Sequence, residues 1–400
     1  MPPPGIAPTA TFEYHPTISL TEEYTDNFRL TKRGRESNFR TTLSPGSTIL
    51  MNTAKTQGSV SASSGLTYDS ASGESSSKLF PSLTAAIQHS FNPRLSLTLT
   101  DSFDRNDEPS RAESTGLQTQ RRTFTSNTFG ASVGWLIDLL QTQYYYRNAL
   151  FLGDTDTISH VFGLGASTRL GALNTVRAGY EYSISQPQSG VSSHGNLFTA
   201  SVSHQLGNYA SAGVQGSYSI QSLDNQRIWN GSVFATYGLP TGFSFSGSVG
   251  YSVLTSDVSS DQTGITANAT TSYIHARGVI SLAIFQDFRT TYQGGQNLQT
   301  GQDQSSPNSG VVESRGITGN FTYQLTPFIG SYISAAYYQN TNTGVGNTKS
   351  NTSQDYLTTS AGINWQLLRW LSTSLKVTRN QYTQPDRHEN RALLSLNASF

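Results

Sequence analysis

The sequence predicts an all-β fold, a transmembrane antiparallel up-and-down β-barrel of about 20 strands, with about 18 as the nearest alternative. Three observations predict it. Apolar and polar residues alternate along most of the chain, connections alternate between short and long, and aromatic residues gather near both kinds of connection. Alternation with period two marks a strand with one apolar and one polar face, because successive side chains point to opposite sides of a sheet.

At 400 residues the chain would ordinarily be divided into two or three domains. Its composition argues against several apolar cores, since only 35% of residues are hydrophobic and 12% charged, with 36 Gly and no Cys. Disorder is excluded by a net charge of zero together with 20 Tyr and 19 Phe. A barrel reconciles these numbers, because only alternate residues touch lipid. A neutral chain gives no electrostatic reason to expect nucleic acid. The lack of cysteine fits an oxidising compartment entered without disulfides. No stretch approaches the roughly 18–20 apolar residues of a membrane helix. The nearest, "VGWLIDLL", is too short and carries Asp138. Residues 1–12 are expected to form a short tail and 13–400 a single barrel. The opening "MPPPGIAPTA" has neither a charged nor an apolar leader region, so the expectation for an exported protein is that its signal peptide has been removed.

Taken in order, the first strand is expected around "YHPTISLTEEY" (14–24). Next, Leu95, Leu97, Leu99 and Phe103 alternate with Arg94, Ser96, Thr98, Thr100 and Ser102. Val176, Ala178, Tyr180, Tyr182 and Ile184 oppose Arg177, Gly179, Glu181 and Ser183. Trp229, Val233, Ala235 and Tyr237 oppose Asn230, Ser232 and Thr236. Phe243, Phe245, Val249, Tyr251 and Val253 oppose Ser244, Ser246, Ser248, Gly250 and Ser252. At the end, Ala392, Leu394, Leu396 and Ala398 face away from Arg391, Ser395, Asn397 and Ser399, with Leu393 the one apolar residue on the polar side. Alternation sustained this long favours antiparallel strands.

Tight links are expected at 91–95, 136–140, 169–175, 205–209, 238–242, 274–278, 325–329 and 366–370. Longer polar links separate them, among them "DRNDEPSRAESTGLQTQ", "GGQNLQTGQDQSSPNSG" and the charged "TQPDRHEN". Short-long alternation describes a meander with one plain end and one elaborate end, which Greek-key crossovers would not produce. Near the tight links lie Phe91, Trp135, Tyr209, Phe243, Phe328, Trp365, Trp370 and Phe400. Near the long links lie Phe103, Phe124, Tyr182, Trp229, Phe288 and Tyr382. Two aromatic belts are what two membrane interfaces select, although aromatics flank turns in other β proteins as well. Because a sheet in lipid must close on itself, the last strand should pair with the first and place Phe400 at the short-turn interface.

The C-terminal pattern resembles the C-terminal signal of Gram-negative outer-membrane barrels, which the outer-membrane assembly machinery reads. The stretch "PTISLTEEYTDNFRLT" (16–31), followed by "SNFRTTLSPGSTI" (37–49), resembles the opening of the β-barrel porins associated with exopolysaccharide export systems. There a Tyr-Thr-Asp-Asn stretch, here Tyr24, Thr25, Asp26 and Asn27, precedes a strand ending in Pro-Gly, here Pro45 and Gly46. The resemblance implies location in the outer membrane among lipid and lipopolysaccharide. It also implies short periplasmic turns, long extracellular loops and passage of hydrophilic solutes, with coupling to polysaccharide export. It carries over no catalytic residues.

The face opposite the apolar one supplies the expected pore lining: Arg40, Arg147, Arg177, Glu181, Asp287, Arg289 and Lys376. Arg94, Arg169 and Arg391 add to its basic side and Asp104 to its acidic side. A basic excess would draw anionic solutes or acidic polysaccharide by focusing the field in the lumen. The competing reading is that these charges are paired or solvated at the rims. The longest link, 293–311, is the candidate constriction, or else a mobile external loop. Of the seven His, none forms a metal-ligand pair at helical spacing, and no Cys is present for zinc. Asp386, His388 and Glu389 cluster in an expected loop, where charges are usually solvated. Neither an enzyme nor a cofactor is therefore expected. The alternative function is a non-conducting barrel acting as a surface scaffold or adhesin through its long loops.

Overall fold

The computed structural model describes residues 10–71, 78–107, 123–153, 156–188, 192–222, 225–257, 261–290, 310–344, 352–383 and 386–400. Within strands, the side chains of 288–290, 310–312, 342–344 and 352–354 lie outside the description. The strands are β1 (Thr11–Thr25), β2 (Asn38–Asn52), β3 (Thr56–Asp69), β4 (Lys78–Asn92), β5 (Leu95–Asn106), β6 (Phe124–Ile137), β7 (Leu140–Leu152), β8 (Thr157–Leu170), β9 (Asn174–Pro187) and β10 (Ser193–Gln205). They continue with β11 (Ala210–Gln221), β12 (Gln226–Gly238), β13 (Phe243–Thr255), β14 (Gln262–His275), β15 (Gly278–Thr290), β16 (Gly310–Thr326), β17 (Ile329–Gly344), β18 (Thr352–Leu368), β19 (Leu371–Thr383) and β20 (Asp386–Ser399). Each pairs antiparallel with its sequence neighbours in one 20-stranded sheet.

The sheet closes between β1 and β20, with Thr17 opposite Ser399, Leu20 opposite Leu396 and Tyr24 opposite Ala392. At the seam the Phe400 N–H donates to the Pro16 carbonyl at 3.0 Å. Closure leaves no unpaired edge, which the hydrocarbon interior demands. The even strand number puts the start of β1 and the end of β20 at the short-turn end, where Phe400 stacks on Trp370 with ring centres 5.5 Å apart.

All eight expected tight links join consecutive strands. In the link 239–242, Gly242 has φ 93 and its carbonyl accepts from the Ile274 N–H. A side chain there would meet the Ile274 carbonyl, so glycine is required on both counts. Asp138 takes φ 52 in the link after β6, a conformation short polar residues tolerate. A further tight link, 53–55, was not among those expected. Thr53 closes it: its Oγ1 accepts from the Thr56 N–H at 2.8 Å.

The outward face is apolar. Val249 is 59% exposed and lies in a cross-strand row with Val214, Val233 and Ala267, while neighbouring Ser248 shares the inward face with Asn268. The strands run 12 to 17 residues, longer than the roughly 9–11 that cross a bilayer, so they extend beyond it. Three expectations need correction. Phe124 takes the inward face and stacks on Phe151, with ring centres 5.5 Å apart. Tyr382 is likewise inward and buried. Asp386, His388 and Glu389 begin β20, where Glu389 is fully buried. All three follow from strands that continue past the membrane, carrying their inward parity into positions the sequence read as loop. The Phe288 side chain lies outside the described residues.

Candidate functional site: the inner wall

Inward parity collects the small polar residues. Across β7 to β12 these line a cavity of about 740 Å³ whose wall includes Gln141, Gln143, Tyr145, Arg177, Glu181 and Asn230. Tyr145 organises it. Its hydroxyl donates to Glu181 Oε2 at 2.7 Å, and the Arg147 guanidinium lies 5.9 Å from its ring centre. Directly across in β8 stands Gly163, where a side chain would collide with the Tyr145 ring. The ring therefore lies down on the wall instead of projecting into the lumen. The same cross-strand arrangement recurs at Phe234 over Gly213, Phe285 against Gly316 and Tyr332 over Gly362. These four inward rings are thus folded flat over glycine.

The seam wall is different. Arg40 on β2 is 6% exposed and gripped on two sides, its Nε and Nη2 donating to Asp69 at 2.7 and 2.9 Å, and its Nη1 and Nη2 to Asp107 at 2.8 Å each. Lys78 adds a looser contact to Asp107 at 3.6 Å. Arg391 donates to Glu23 at 2.6 Å. Glu389 accepts from Thr25 at 3.1 Å and from Asn380 at 2.9 Å. Above this, Asp26 accepts from both the backbone and side-chain nitrogens of Asn390 at 2.7 and 2.6 Å. Asn27 donates to the His388 and Thr31 carbonyls and accepts from the Thr31 N–H. The Thr25-Asp26-Asn27 stretch therefore latches the link after β1 onto β20, across the seam. Its spacing was visible in the sequence; its partners, more than 360 residues away, were not.

The expected lining residues thus fall into groups. Arg147, Arg177 and Glu181 gather on the β7–β9 wall, and Arg177 and Glu181 border the cavity. Asp287 faces inward from β15 and borders a second, smaller recess together with Glu181, Asn230 and Ser252. Lys376 faces inward and exposed from β19. The Arg289 side chain and residues 293–309 lie outside the described residues. Arg40 does point inward, but its charge is consumed by two carboxylates, so it is no free cation of the lumen. Arg94 sits in the tight link between β4 and β5 and is not part of the wall. Phe91, Trp135, Tyr209, Phe243, Trp365, Trp370 and Phe400 are exposed at the short-turn end, as an interfacial belt requires. Gln141, Gln143 and Tyr145 were missed as lining residues, although the alternation of that strand carried the signal.

No protein-family model matches the sequence, and no curated protein matches it. Solved structures do resemble it in fold. The siderophore receptor PirA from Pseudomonas aeruginosa aligns with a TM-score of 0.56 at 9% identity, over 98% of this chain and 81% of the receptor. The FrpB iron transporter from Neisseria meningitidis gives 0.57 at 11% identity, over 96% and 82%. Pseudomonas aeruginosa OpdL gives 0.50 at 9% identity, over 97% and 98%. The chain has the fold of Gram-negative outer-membrane β-barrels, and the outer membrane is where that fold resides.

Proposed function

We propose that the chain is a porin-like channel that carries hydrophilic solutes across the outer membrane. The observation that carries this reading is the cavity on the β7–β12 wall, bordered by polar side chains and kept clear by the Tyr145 ring laid flat against Gly163. A wall of amide, hydroxyl and carboxylate groups replaces part of a solute's hydration shell without holding it tightly, which is what conduction requires. Coupling to exopolysaccharide export rests on the resemblance of residues 16–49 and fits the many neutral hydrogen-bonding groups of this wall. The reading assigns no residue a catalytic role. The C-terminal strand would be the element handed to the assembly machinery.

Conductance of the refolded protein in a planar bilayer under a salt gradient tests the proposal. Large steady steps are expected, with a reversal potential that moves when Arg177 or Glu181 is neutralised. Silence from protein shown to be folded would overturn the channel reading in favour of a scaffold or adhesin.

A further inference from the structure

The lipid-facing surface is not uniformly apolar. On β5 the outward positions read Leu95, Leu97, Leu99, Asp101 and Phe103, so a carboxylate sits within the apolar band. Its outward direction is fixed by register, since Asp101 stands opposite Phe129 and Phe103 opposite Asn127, while Thr100 crowds inward against Gly130. Asn127 donates to Asp101 at 3.1 Å. The polar stripe continues toward the long-loop end on the next two strands, where His160 Nδ1 lies 3.1 Å from Asn148 and 3.0 Å from the Tyr146 hydroxyl. On β10 to β14, by contrast, an outward row reads Val202, Val214, Val233, Val249 and Ala267 with no polar member.

Ionisable groups facing hydrocarbon are costly and need partners. We infer that the outer face of β5–β8 is an interface with a second copy of this chain, in which Asp101 of each protomer accepts from Asn127 of the other. The chemistry is self-complementary. An amide carries two N–H donors and a carboxylate two acceptor oxygens, so the pair seen within one chain can be repeated across a two-fold axis. Ala85 and Ala131 flank the pair and allow close approach. This inference is independent of what passes through the lumen.

The absence of native cysteine makes a clean test. Ala131→Cys protein is refolded into vesicles at low protein density, treated with a bifunctional thiol crosslinker and run on a gel beside Val249→Cys. A dimer is expected from Ala131→Cys and none from Val249→Cys. Adding Asp101→Leu to Ala131→Cys should reduce the dimer at least about tenfold, the scale of one lost charge-assisted contact, while the folded barrel persists. Asn127→Leu serves as the second variant and should act in the same way. Equal crosslinking from both cysteines, no dimer from Ala131→Cys, or a dimer indifferent to both leucine substitutions would overturn the inference.

Discussion

Two stretches of the same inner wall put the same residue types to opposite uses. At the seam, from β18 round to β3, the buried charges are matched: Arg40 by Asp69 and Asp107, Glu23 by Arg391, and Glu389 by Thr25 and Asn380. Tyr356 and Tyr382 are buried beside this network, their ring centres 4.7 Å apart. Across β7 to β12, Arg177 and Glu181 border open volume, and the large aromatic ring there is laid flat. Inward parity therefore marks a residue as polar without saying whether it serves closure or passage. Pairing makes that distinction: a charge buried between two carboxylates is structural, whereas one that borders the cavity can act on a solute.

The largest effect should come from breaking the seam. Arg40→Met leaves two buried carboxylates with only the looser Lys78 contact to Asp107, and a loss of about 3–5 kcal/mol is expected. Urea-dependent refolding into vesicles would read it, and an unchanged midpoint would show that the network is dispensable. On the lipid side, Val249→Arg should cost about 2–4 kcal/mol near the bilayer midplane, whereas Ser248→Arg should be tolerated. Equal tolerance of the two in the same assay would reverse the assignment of faces.

A smaller loss is expected for Asn27→Ala, about 1–3 kcal/mol, because the part-buried His388 and Thr31 carbonyls lose their donor. Single-channel conductance should change little in that variant. Gly163→Val sharpens the comparison from the other side. It drives Tyr145 off the wall and should lower conductance while leaving the seam intact, so reduced current with an unchanged urea midpoint is the expected pair of results. The gentlest change is Glu181→Gln, within about 0.5 kcal/mol in stability. It should nevertheless shift the reversal potential toward anions, and identical selectivity would remove Glu181 from the conducting path.

Much of the architecture was legible from residue order. Alternation such as Phe243 to Val253 assigns faces locally, and the tight links carry their own turn chemistry, as at Gly242 and Asp138. The terminal run to Phe400 announced closure, since lipid tolerates no open edge. The link at 53–55, closed by the Thr53 side chain, was not anticipated. The buried start of β20 was lost because "PDRHEN" has a loop composition, and only the polar partners across the seam make a strand of it.

What the sequence by itself determined is therefore everything with a short-range cause: strands, faces, turns and the need to close. Which charges are neutralised was decided by tertiary structure alone. Arg40 meets Asp107 across 67 positions and Glu23 meets Arg391 across 368. Coulombic pairing depends on distance in space, and closure of the barrel is what brings the two ends of the chain within a hydrogen bond of each other.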